Sequence, residues 1–322
     1  MMTTRLSPLA VAAFALASGL CLAQSYPVKP VRVVVPFPPG GAVDFLARVI
    51  QPKMSDTLGQ PFLIENRPGA AGNVGVESVA RGAHDGYTLA INTDGQAISP
   101  AINRKLNYDP VKDFTPLTQL VAAHLILISS PKLPAALVGE FIALAKAKPG
   151  VLNYGGTGVG NPLHLTMELV KLAAGIDVVA VHYQGDAPLY TAMMAGQVEV
   201  AIVPFSSAFP FVKSGKIRAL AVAGAKRVAI LPEVPTIGET LPGVEAGSWQ
   251  GLFVPVRVPR DIVDTLHRAA VKAITAPDLR EVLQARSYEV VGSSPEQFKL
   301  MFEAEVAKFQ RIVKDAKIPL QD

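Results

Sequence analysis

VRVVVPFPPGGAVDFLARVI, residues 31–50, holds three kinds of local order in one short run. Residues 31–37 are mostly β-branched, the composition of a strand buried on both faces. Pro38-Pro39-Gly40-Gly41 ends it. The prolines withhold backbone donors, and the glycines admit turns closed to other residues. Leu46, Val49, Ile50, Met54 and Leu58 then recur at helical spacing, and Gly59 supplies a stop. The same alternation runs outward along the chain. Strands are expected at 61–65, 88–92, 125–129, 152–154, 178–182, 198–204, 218–223 and 251–255, with helices between them and a helical tail. Such alternation predicts an α/β fold built from βαβ units and parallel sheets.

The chain has 322 residues, 50% of them hydrophobic and 17% charged. It is too apolar for a disordered protein and long enough for two domains. No Ser-, Gly- or charge-rich linker divides it, so two domains would exchange chain more than once. Thirty basic against 26 acidic residues leave a net charge of +4. No dense Lys/Arg run and a single Trp argue against nucleic-acid binding.

Arg5 is the only charged residue before Lys29, and residues 9–22 are apolar or small. Residues 1–23 therefore read as a signal peptide cleaved after Ala23, with an uncleaved anchor as the alternative. Cys21 is the only cysteine and would leave with it. No disulfide, thiol nucleophile or cysteine-bound metal is then expected. An exported, cysteine-free body without an 18-residue apolar run points to a soluble periplasmic protein.

In open α/β sheets ligands bind beyond the carboxyl ends of the strands. Four loops there combine glycine, proline and small polar residues. The first, Phe37 to Asp44, includes Pro38, Gly40 and Gly41. Asp44 could cap the next helix, or face a cleft and select an amine. The second holds Thr93 and Asp94. The third, GGTGVG at 155–160, holds Thr157 and Gly158 and precedes His164, which could meet a ligand or pack at a helix start. The fourth holds Gly185 and Asp186. Each loop is also open to plain turn chemistry. GxGxG with Asp177 beyond it is an imperfect dinucleotide fingerprint. His182 reads as a buried strand end, Trp249 as a cleft wall or core anchor, and Glu303 and Glu305 as a solvated face. No GxSxG, HExxH or Walker A motif and no metal-ligand spacing of histidines is present. No enzyme activity, metal or cofactor is expected, with an exported α/β enzyme acting on a carboxylate as the alternative.

VVVPFPPGGAVDFLARVI, ENRPGAAGNVG, LNYGGTGVGNPLH, VHYQGDAP and SWQGLFVP together resemble the periplasmic solute-binding proteins of tripartite tricarboxylate transporters, the Bug family. The resemblance implies a two-lobed periplasmic-binding-protein fold, each lobe a mostly parallel sheet flanked by helices, with the ligand cleft between lobes. It implies lobe 1 at 26–124 plus 245–322 and lobe 2 at 125–244. It implies capture of a small organic carboxylate by a monomer, for the permease subunits of a transporter or for a membrane sensor. Carried onto this chain, the ligand would meet Phe37 to Asp44, Thr157-Gly158, Gly185-Asp186 and Pro204-Phe205-Ser206. NTDGQ after the third strand departs from the family pattern. Asp94 there would disfavour a second ligand carboxylate unless it points to solvent or caps the helix.

Overall fold

The structure is a computed structural model describing residues 26–183 and 185–321. Residues 1–23, expected to form a signal peptide, and Cys21 among them lie outside the described residues. The chain opens with β1 (Val31–Val35), α1 (Ala42–Leu58), β2 (Phe62–Asn66), α2 (Asn73–Ala80), β3 (Thr88–Thr93), α3 (Gly95–Ile102) and β4 (Phe114–Ala123). Its middle runs through β5 (Leu125–Ser129), α4 (Val138–Ala147), β6 (Asn153–Gly156), α5 (Pro162–Ala174), β7 (Val179–His182), α6 (Asp186–Ala195), β8 (Val200–Pro204), α7 (Phe205–Lys213) and β9 (Arg218–Val222). It closes with α8 (Ile237–Thr240), β10 (Ser248–Pro255), α9 (Arg260–Ile274), α10 (Pro277–Gln284), β11 (Tyr288–Val290) and α11 (Pro295–Asp315).

The strands form two sheets, ordered β11-β4-β10-β3-β1-β2 and β7-β6-β8-β5-β9. Both are mixed, not mostly parallel. β1 is parallel to β2 and β3, and β6 is parallel to β7 and β8. β10 runs antiparallel to β3 and β4, and β5 antiparallel to β8 and β9. The reason is the crossing of the chain between sheets. Only His124 separates β4 from β5, and the chain returns between β9 and β10. Strands that arrive by crossing oppose the direction set by the βαβ units. β4 itself was not anticipated, because FTPLTQLVAA carries a Pro and interleaved polar residues.

β1 buries Val31, Val33, Val34 and Val35, as a strand covered on both faces should. α1 lays Leu46, Ile50, Met54 and Leu58 on it, and Gly59 ends that helix in the left-handed region at φ 65°. Each such side chain contributes about 1.5–3 kcal/mol by leaving water. Trp249 belongs to the core. Its ring meets Phe298 edge-on at 5.3 Å, and its Nε1 donates to Glu305 at 2.6 Å. Glu305, on α11, is thus turned towards β10 and largely covered, paired also with Lys308 at 2.7 Å, instead of lying on a solvated face. Glu303 does stay near solvent, paired with Lys299. Gly251 lets this cluster close, since a Cβ there would lie 2.4 Å from the Phe298 ring. His182 is exposed, because β7 is the edge of its sheet.

Candidate functional site

The turn after β1 is organised by one carboxylate. Asp44, 2% exposed, accepts from Gly40 N at 2.9 Å, Arg48 Nε at 2.8 Å and Asn66 Nδ2 at 2.9 Å. Asn66 also donates to the Phe37 carbonyl at 3.1 Å. The Arg48 hydrogen bond is the main reason the Asp44 pKa falls to about 2, although burial opposes it. Its charge is engaged inside the loop and lines neither of the cavities described next.

Two cavities meet between the lobes. The inner one, about 370 Å³, is bounded by Ala42, Val43 and Thr93 from one lobe and by Leu163, Ser206 and Ser207 from the other. The outer one, about 500 Å³, runs from Gly40 and Gly41 to Phe209 and Pro210. Ala42, Ser206, Arg286, Ser287 and Tyr288 line both. The starts of α1, α5 and α7 therefore converge on one space. Helix starts present backbone N–H groups without intrahelical partners and a partial positive charge. No side chain caps α1 or α7, whereas Asn161 caps α5 through His164 N at 2.9 Å. Among the described residues Arg286 is the one permanently charged side chain along either cavity.

Behind Thr93 sits a buried polar group of side chains. Asp94, 1% exposed, accepts from Ser248 Oγ at 3.3 Å, and its Oδ2 has no hydrogen-bond partner. Burial, then the Glu305 charge, pushes its pKa up to about 8, against the pull of Ser248 and Thr93. It neither points to solvent nor caps α3 with its side chain. A protonated Asp94 also withdraws the objection to a second anionic group on the ligand. Gln250 donates to Tyr288 Oη at 3.2 Å and borders the inner cavity.

The glycine loop is placed differently from the sequence expectation. Thr157 accepts from Asn161 Nδ2 at 3.3 Å, and His164 Nδ1 accepts from Gly160 N at 3.1 Å. Burial lowers the His164 pKa, so the neutral ring anchors the loop. Gly160 packs toward Ile102, and Gln321 Nε2 donates to the Val159 carbonyl at 3.0 Å, so the loop meets the other lobe. Thr157, Gly158, His164, Gly185 and Asp186 line neither cavity. Phe205 is wholly buried and stacks on Phe209 at 5.5 Å, while its neighbours Ser206 and Ser207 face the space. Phe37 is half-buried and Pro38 exposed beside the outer cavity's glycines. Asp177 hydrogen-bonds through its carbonyl to Gly150 N, ahead of β7 and at the opposite sheet end from the glycine loop. That separation removes the dinucleotide arrangement. Sequence reasoning missed Arg286, Ser248 and Tyr288. SWQGLFVP contained Ser248 and Gln250, but nothing local marked Arg286.

Among the described residues no group of three His, Cys, Asp or Glu is placed to hold a metal, and no helix is long and apolar enough to cross a membrane. Residues 46–318 match the family described as tripartite tricarboxylate transporter family receptor. Protein BugT of Bordetella pertussis is 30% identical over 302 residues, 93% of each chain. A solved structure from R. palustris with adipate is 34% identical with a TM-score of 0.76, covering 92% of this chain and 100% of that one. MatC from Rhodopseudomonas palustris with bound malate is 33% identical with a TM-score of 0.72, covering 89% and 100%.

Proposed function

The chain belongs to the tripartite tricarboxylate transporter receptor family, and from that premise we propose that it captures a small organic carboxylate between its two lobes. It is a solute-binding protein. One observation carries the ligand class: three helix starts face the same cavity space, and among the described residues no acidic side chain lines it. Backbone N–H groups at helix starts hold an anion without a buried counter-ion. The relatives whose structures hold adipate and malate support the reading.

The lobes in this reading are residues 26–124 with 245–322, and 125–244. Closure about the two crossovers would bring Ser206 and Ser207 onto a ligand seated at α1. The loaded protein would work in the periplasm as a monomer and deliver its ligand, chemically unchanged, to transporter subunits in the membrane.

A thermal-shift panel of aliphatic mono-, di- and tricarboxylates, amides and aromatic acids tests this on protein unfolded and refolded to strip any carried ligand. A ligand at 100 times its Kd adds about 2.7 kcal/mol of stability. A saturable shift for selected acids, with the acid recovered intact, is expected. No shift from folded protein across the panel overturns the reading, and consumption of the acid overturns binding without turnover.

A further inference from the structure

We propose that Arg286 is a specificity-determining residue that receives a second anionic group of the ligand. This rests on the carboxylate reading above and deepens it.

Arg286 lies in the tight connection between α10 and β11. Its N–H donates to the Leu283 carbonyl at 3.0 Å, and Ser287 N donates to that of Gln284 at 2.9 Å. Ser287 adopts φ 59°, a left-handed conformation uncommon for a residue with a side chain. The turn is therefore closed tightly at the point where the chain passes the cavities. The guanidinium carbon of Arg286 stands 4.0 Å from the centroid of the Phe45 ring on α1. Stacking on an aromatic face leaves the N–H groups around the guanidinium edge free for in-plane acceptors.

Those donors have no acidic partner. Arg48 pairs with Asp44, Arg81 with Glu77 and Arg227 with Glu239, but among the described residues no carboxylate forms an ion pair with Arg286. An arginine held in place beside a cavity, with its edge unpaired, is suited to bidentate capture of a carboxylate. Arg286 lines both cavities where they meet, together with Ala42 and Ser206 from the starts of α1 and α7. Tyr288 adds a neutral donor to the same wall. Burial raises its pKa, so the hydroxyl keeps its proton, and it already accepts from Gln250 Nε2. One carboxylate at the helix starts and a second group at Arg286 would occupy the joined space.

The experiment is calorimetry of the wild-type chain, Arg286→Gln and Arg286→Lys with succinate, glutarate and adipate, and with the monoamide of each. The wild type is expected to prefer at least one diacid over its monoamide by more than tenfold. Arg286→Gln is expected to weaken that diacid at least tenfold, to change the monoamide less than twofold, and so to erase the preference. Arg286→Lys keeps the charge but loses the planar fork, and falls between. Melting curves of the variants without ligand separate lost binding from lost fold. Equal losses for diacid and monoamide, or an unchanged preference in Arg286→Gln, overturn the role of Arg286 while leaving carboxylate capture standing. A wild type that binds neither diacids nor monoamides, and no other acid of the wider panel, overturns both.

Discussion

Asp44 and Asp94 follow adjacent parallel strands of the same sheet, both nearly inaccessible to water, yet one is held charged and the other neutral. Asp44 accepts three hydrogen bonds, one of them from a guanidinium, and its pKa sits near 2. Asp94 has one long bond from Ser248, an oxygen with no partner and the Glu305 charge nearby, and its pKa sits near 8. Burial alone decides nothing about a carboxylate. The donors around it do. The first loop uses a fixed negative charge to hold its turn, and the second places an uncharged acid behind the ligand space.

The largest expected effect that would break this comparison is on the pH dependence of stability. The folded pKa of Asp94 lies above its ordinary value of 3.8. Below about 4 both folded and unfolded forms hold the proton; between about 4 and 8 only the folded form keeps it. Stability therefore falls as pH rises across that window, by up to about 1.4 kcal/mol per unit from this group. Asp94→Asn should remove that slope and melt above the wild type at pH 8.5, but not at pH 4. Parallel denaturation curves for the two proteins across the window would place Asp94 in the ionised state.

Asp44→Ala comes next. It leaves Gly40 N and Asn66 Nδ2 without their acceptor and releases Arg48. Urea unfolding at pH 7 should show a loss of roughly 1–3 kcal/mol. The sign of the pH effect is opposite to that at Asp94. The stabilisation is complete above the ordinary value of 3.8 and disappears as pH falls through about 2, so Asp44→Asn should flatten the acid limb of the stability curve. A wild type and Asp44→Asn that lose stability in step between pH 5 and 2 would deny the carboxylate its structural charge. The smallest change is Ser248→Ala, which removes one weak donor to Asp94. Its alkaline midpoint should move up by less than one unit, as read from the same curves.

Much of this was legible in the chain, and the limits have physical causes. The strand-turn-helix of β1 and α1 shows in the sequence because a two-faced strand and an amphipathic helix leave different periodicities. Pairing direction does not show, because β4 and β10 meet only after the whole second sheet is inserted between them. Gly158 and Gly160 were visible as a turn, but glycine spacing cannot say whether a loop faces a ligand or, as at Gly160, the Ile102 side chain of the other lobe. Asp44 was visible as a helix-start acid, while its bonds to Asn66 depend on a neighbouring strand. Arg286 left no local mark at all. Its meaning comes from Phe45, which a different part of the chain supplies.

The insertion of β5 to β9 between β4 and β10 also sets an order of assembly. In chain order every strand of the second sheet precedes β10, the central strand that joins β3 to β4 in the first. Until that strand arrives, β3 and β4 have unpaired edges and the hydrophobic faces meant for α9 and α11 are bare. Such late, non-local closure slows folding and leaves sticky intermediates. Loss of Trp249 or Phe253 packing on β10 should thus lower the yield of folded protein more than it lowers the stability of molecules that have folded.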